Sequence, residues 1–194
     1  PVVSCNPLNK IKVDTVGPIF PGVTVKLSDD GEILVKGENV MLGYWNNLEA
    51  TEQTIKDGWL HTGDIGEFDT DGYLKITDRK KDIIVSLGGD NIAPSKLENL
   101  LTLSPDIEQA CVFGEQKNYI AALIILSKDS KFTKDDTQNY INDINLDLTQ
   151  PEKIKKFSFI DEPFTIESNL MTPTMKVRRH EVQKKYSEII DQLF

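Results

Sequence analysis

The sequence predicts an α+β chain in which a small β-rich unit is followed by a compact mixed α+β domain. Three observations point there. Before residue 78, alternating apolar and polar stretches twice flank turns containing Asp-Gly, the pattern of β-hairpins. Beyond residue 82, short apolar runs alternate with segments of helical character. Between the two textures lies the charged run "DRKKD", residues 78–82, where the division into residues 1–78 and 79–194 is expected.

The elements follow in order. In "PGVTVKLSDDGEILVKG", residues 21–37, two alternating stretches meet at Asp29-Asp30-Gly31, and Asp and Gly both tolerate positive φ. "NLEATEQTI", residues 47–55, reads as a short helix capped by Asn46 or Asn47 and closed by Asp57-Gly58. A second hairpin, "GDIGEFDTDGYLKITDR", turns at Asp71-Gly72. In the second part, Pro94 suits a first helical turn, and that helix stops before Ser104-Pro105. "QACVFG" and "YIAALIILS" read as strands, the second a buried one. Its apolar run is far short of the roughly 20 residues a membrane helix needs. A polar helix near 133–146, a strand "IKKFSFI", a loop through "ESNLMTPTM" and a final helix from about Val177 complete the chain.

Composition narrows the function. The 194 residues are 39% hydrophobic and 27% charged, as in a globular chain. A net charge of -9, from 22 basic and 31 acidic side chains, repels a phosphate backbone and argues against nucleic acid. Cys5 and Cys111 lie far apart without metal-ligand spacing, so neither a disulfide framework nor a metal site is expected and a cytoplasmic setting is. No membrane span is expected, while peripheral contact with a membrane face stays open. The chain opens on Pro1 rather than Met, so an N-terminal portion with any targeting signal is expected to precede it.

Several polar positions are candidates for chemistry. In "GWLHTGDIG", residues 58–66, Asp64 offers two acceptor oxygens that suit the adjacent hydroxyls of a ribose, or it caps its own turn. Gly63 allows a sharp turn beside it, and Gly66 is expected to keep the surface beyond clear. The hairpin fold-back returns Arg79 to the level of Asp64, where the two either bracket a sugar or form a surface ion pair. Lys81 and Asp82 are a solvated charge run or a hinge. Gly88-Gly89, read as a loop between a strand and a helix, are a plain turn or a place where backbone approaches a slender ligand. Lys176, stiffened by Pro173 and flanked by Thr172 and Thr174, is solvent-exposed or awaits an anion. Arg178, Arg179, His180, Lys184 and Lys185 read as a solvated helix face, and neither His61 nor His180 has a triad or metal partner in sequence.

The order of these signals is more specific than any one of them. "GENVMLGYWNNLEATEQTIKDGWLHTGDIGEFDTDGYLKITDRKKDIIVSLGGDNIAPSKLENLL" and "KIKKFSFIDEPFTIESNLMTPTMKVRRHEV" resemble the adenylate-forming superfamily of acyl-CoA synthetases and luciferases. The loop "LGGDNIAP" and the ending "TPTMKVRR" resemble its long-chain fatty acid:CoA ligases. The resemblance implies that residues 1–78 are the last, distorted-barrel part of a large adenylation domain and 79–194 a mobile C-terminal domain. It implies ribose contacts at Asp64 and Arg79, a hinge at Lys81, a pantetheine tunnel lined by Gly88 and Gly89, and a catalytic lysine at Lys176. Asp90 stands where a Lys is common in the family. ATP, Mg²⁺, CoA and a fatty acid are the implied cofactors and substrates of the complete enzyme. The family's phosphate loop and its Mg²⁺-holding Glu motif do not occur, so the chain is expected to be inactive alone, its partner being a missing N-terminal large domain. The alternatives are another carboxylic acid, a carrier-protein acceptor, or a free-standing non-catalytic module that binds nucleotide or a partner.

Overall fold

The computed structural model describes residues 1–194, which divide into two compact units, Pro1–Asp82 and Ile83–Phe194. The division falls after Asp82, so Arg79 and Lys81 belong to the first unit.

The first unit is built on hairpins. Strands β1 (Thr24–Leu27) and β2 (Glu32–Lys36) pair antiparallel, with Val25 opposite Val35. Gly31, at φ 81, turns the chain between them. Helix α1 (Leu48–Thr54) begins at Asn47, whose side chain accepts the Ala50 N–H at 3.0 Å. A two-residue β3 (Ile55–Lys56) then returns through β4 (Trp59–Phe68), and β4 pairs with β5 (Leu74–Arg79) around Gly72, at φ 78. The five strands form one sheet in which ten-residue β4 is central: it pairs with β2, with β3 at its start and with β5 at its end. Ile33, Val35, Leu60 and Leu74 are the buried core of this sheet.

A 3₁₀ turn, Lys80–Asp82, ends the first unit. The second opens with β6 (Ile84–Val85) and β7 (Asn91–Ile92), an antiparallel hairpin. Gly88 and Gly89 lie at its tip, so the expected strand-to-helix loop is instead a strand-to-strand turn. Helix α2 (Pro94–Leu101) carries Pro94 in its first turn. A three-stranded sheet follows in the order β10-β9-β8, with β8 (Ile107–Phe113) antiparallel and β10 (Ile154–Phe159) parallel to β9 (Ile120–Leu126). The parallel pair requires a crossover, which α3 (Lys134–Ile144) supplies. Two short helices, α4 (Arg179–Lys185) and α5 (Ser187–Gln192), end the chain, and α4 starts two residues later than the sequence predicts.

The run "IAALIIL" is uniformly apolar because β9 is covered on both faces. Ile120, Ala122 and Ile124 pack with Leu97, Leu101 and Ile141 from α2 and α3. Ala121, Leu123 and Ile125 pack with Val182, Ile190 and Leu193 from the C-terminal segment. No helix is long and apolar enough to cross a membrane.

Candidate functional site

The stretch "HTGD" is a wide bulge in β4. His61 stands opposite Leu34 and Ile65 opposite Glu32, so residues 62–64 face the single residue Ile33. Extra residues of this kind bend a strand and re-aim its side chains. The bulge is pinned to β2 by hydrogen bonds. Thr62 Oγ1 donates to Ile33 O at 2.7 Å and accepts the Asp64 N–H at 3.1 Å. The Gly63 N–H donates to Glu32 Oε1 at 3.0 Å. Gly63 adopts φ 71, and a Cβ added there would meet no atom within 4 Å, so glycine serves conformation here rather than space. Gly66 differs from expectation. A Cβ there would lie 2.5 Å from Lys75 O and 2.7 Å from Ile33 Cδ1, so Gly66 permits close strand packing in the interior and clears no surface.

Asp64 and Arg79 meet as directly opposed residues of β4 and β5, with Arg79 Nε 2.8 Å from Asp64 Oδ1. Their side chains are 25% and 49% exposed, so the pair itself adds little stability and stays accessible. Both line a groove of ≈ 680 Å³, with His61, Thr62 and Tyr44 supplying further polar edges and Leu60, Leu74 and Ile76 apolar wall. An apolar cleft with a few convergent polar groups is the usual form of a small-molecule site.

Behind this edge sits a group that sequence reasoning missed. Glu32, buried at the start of β2, accepts from His61 Nδ1 at 3.1 Å and from Lys80 Nζ at 2.9 Å. Burial pushes its carboxyl up, but the hydrogen bonds from Lys80, His61 and Gly63 outweigh burial and hold it below the ordinary glutamate value. Lys80 also reaches Asp30 Oδ2 at 2.6 Å, and Asp30 is lowered to about 2 by its hydrogen bonds from Lys80 and Ser28. Lys81 is exposed in the 3₁₀ turn.

In the second unit, the Gly88-Gly89 tip is closed by its own backbone. Gly89 N–H donates to Ser86 O at 3.0 Å, and Gly89 takes φ 86 with open space around it. Asp90 is engaged inside the hairpin: its Oδ2 accepts from Ser86 Oγ at 2.9 Å and its N–H donates to the same hydroxyl at 3.0 Å. Lys176 lies on a separate loop, exposed at the end of a tight turn. There Thr172 N–H donates to Lys176 O at 2.8 Å, Lys176 N–H donates to Thr172 Oγ1 at 3.1 Å, and Met175 has φ 61.

Arg179 departs from the expected solvated face. Its guanidinium meets Glu98 Oε1 at 2.5 Å, and its Nε donates to Val112 O at 3.1 Å. The Val112 N–H in turn donates to the same Glu98 oxygen at 2.9 Å. The pair thereby covers the open backbone of edge strand β8 and fixes the chain three residues after Lys176. No cluster of three or more His, Cys, Asp or Glu that could hold a metal ion occurs.

Known proteins resemble the chain in both sequence and shape. The family described as AMP-binding enzyme C-terminal domain matches residues 81–194. The long-chain-fatty-acid–CoA ligase FadD15 of Mycobacterium tuberculosis is 38% identical over 99% of this chain and 36% of its own length. Mouse long-chain-fatty-acid–CoA ligase 5 is 34% identical over 87% of this chain and 28% of its own length. The chain thus spans about a third of the length of these curated relatives. Among solved structures, the adenylation domain of a Mycobacterium chelonae carboxylate reductase superposes with a TM-score of 0.80 at 28% identity, over 91% of this chain and 32% of that one. The Bacillus subtilis O-succinylbenzoate coenzyme A synthetase, in complex with AMP, gives 0.71 at 29% identity, over 89% and 36%. The chain belongs to the AMP-binding enzyme family and carries that family's C-terminal domain.

Proposed function

We propose that this chain is the C-terminal part of an ATP-dependent fatty acid:CoA ligase, comprising the last β-rich subdomain of its large domain and its mobile domain. The observation that carries the reading is the Asp64–Arg79 pair. Both residues line a groove, in a chain 38% identical over 99% of its length to a long-chain-fatty-acid–CoA ligase.

In the first half-reaction a fatty carboxylate oxygen attacks the α-phosphorus of ATP. The bond to pyrophosphate breaks and acyl-AMP forms. Asp64 accepts hydrogen bonds from the ribose hydroxyls, and Arg79 donates from the other strand. The Lys176 ammonium offsets charge gathering on the α-phosphate and the attacking carboxylate. In the second half-reaction the CoA sulfur attacks the acyl carbon and AMP leaves. A rotation about Lys81 withdraws Lys176 and brings the Gly88-Gly89 tip to the thiol's path, where the absence of Cβ atoms leaves room for pantetheine. Mg²⁺ would be held by residues outside this chain, and a cytoplasmic, soluble setting belongs to the same proposal.

The assignment of the ribose edge is tested in the intact enzyme by Asp64→Ala. Losing a charged acceptor is expected to raise KM for ATP about ten-fold or more while leaving KM for the fatty acid unchanged. An unchanged KM for ATP contradicts the assignment.

A further inference from the structure

We propose that Glu32 is a positioning residue for the nucleotide: a single buried carboxylate fastens the backbone beside Asp64 and the side chain beside Arg79, and so sets the geometry of both ribose contacts. The inference rests on the assignment of Asp64 and Arg79 to the ribose.

Three observations combine. First, Asp64 pairs with Arg79 across β4 and β5, but on its other side it sits on a bulge that the β2–β4 ladder does not hold, since residues 62–64 face Ile33 alone. The N–H of Gly63, directed off the ladder at positive φ, has Glu32 Oε1 as its acceptor at 3.0 Å. Second, the other oxygen of the same carboxylate takes Lys80 Nζ at 2.9 Å and His61 Nδ1 at 3.1 Å, so one group spans the residue before Asp64 and the residue after Arg79. Third, Glu32 is 4% exposed, which shields these bonds from solvent competition and makes each costly to leave unmade. Its charge is retained, because the donors around it outweigh its burial. Asp30 takes Lys80 as well, yet Asp30 touches neither Gly63 nor His61 and cannot replace the span.

A purely structural Glu32 would lower the fraction of active protein and leave ligand preference alone. A positioning Glu32 alters preference for the ribose hydroxyls, and the ratio of two substrates reads this independently of how much enzyme is folded. The measurement is kcat/KM of the intact enzyme in fatty-acid-dependent pyrophosphate exchange, with ATP and with 2′,3′-dideoxy-ATP. Asp64→Ala is expected to shrink the ATP preference about ten-fold or more. Glu32→Ala is expected to shrink it comparably. Glu32→Gln has one acceptor oxygen where two are used, so one arm must break, and a loss of about three-fold is expected. Should Glu32→Ala not fold by circular dichroism, Glu32→Gln decides alone. If Asp64→Ala shrinks the preference and the folded Glu32 variants keep the parent's ratio, Glu32 is structural only and the inference is overturned. If Asp64→Ala itself leaves the ratio unchanged, the ribose assignment falls, and the positioning role falls with it.

Discussion

Gly63 and Gly66 lie three residues apart on one strand and are glycine for different reasons. At Gly63 the backbone needs positive φ and the space is empty, so Gly63→Ala meets only conformational strain, about 1 kcal/mol. At Gly66 a methyl group would strike Lys75 O and Ile33, and β5 would have to move, so Gly66→Ala is expected to cost roughly 3 kcal/mol. Urea unfolding of the two variants should rank them in that order, and the reverse order would refute the packing argument. Glu32 brings a pH dependence. Its folded value lies below the ordinary 4.5, so its contribution to stability is complete above that pH and is lost as pH falls through the lowered folded value. Glu32→Gln removes the titrating group, so its melting temperature should decline less than the parent's as pH falls below 4.5. Parallel declines would show that Glu32 does not titrate with folding. The nearness of Asp64 and Arg79 was legible in the sequence because the hairpin folds back at Asp71-Gly72, but their direct opposition was not, since the turn's own register would set Asp78 opposite Asp64 and an irregularity at Thr77 moves Arg79 there. Glu32 was not, since its partners lie 29, 31 and 48 residues away and no local pattern marks an acid as buried.

Among the elements, edge strand β8 shows how a clip of two side chains can substitute for a missing neighbour strand. Glu98 takes the Val112 N–H, Arg179 gives to the Val112 carbonyl, and the two hold each other. Arg179→Met would take the guanidinium away from Glu98, only 16% exposed, and roughly 3 kcal/mol should be lost from the unfolding of the second unit. Adding Glu98→Gln should recover part of that loss, because the partly buried charge goes with it. Strictly additive losses in urea unfolding would mean that the two side chains act independently. The buried character of β9 was readable from seven consecutive apolar residues. The clip was not: Glu98 and Arg179 are 81 residues apart, and Arg179 sits in a basic run that looks solvated by composition. The β6–β7 hairpin escaped for another reason, since strands of two residues are too short to carry a period.

In the molecule as a whole, the proposed nucleotide contacts lie in the first unit, and the residues proposed to serve the two half-reactions lie on two loops of the second. The first presents the Asp64–Arg79 pair on a hairpin sheet. The second presents Lys176 on one loop and the Gly88-Gly89 tip on another, around a sheet packed on both faces. Change of texture along the sequence suggested a division within residues 78–82, and the compact units divide after Asp82. The central claim is that Lys176 and Gly89 serve different half-reactions, and the most direct measurement follows both steps separately in the intact enzyme. Lys176→Ala is expected to slow acyl-AMP formation on the order of 10²–10³-fold and to spare thioester formation from supplied acyl-AMP. Gly89→Leu, adding bulk at a tip with open space in front of it, is expected to spare adenylation and obstruct thioester formation. Equal loss of both half-reactions in either variant would contradict the claim.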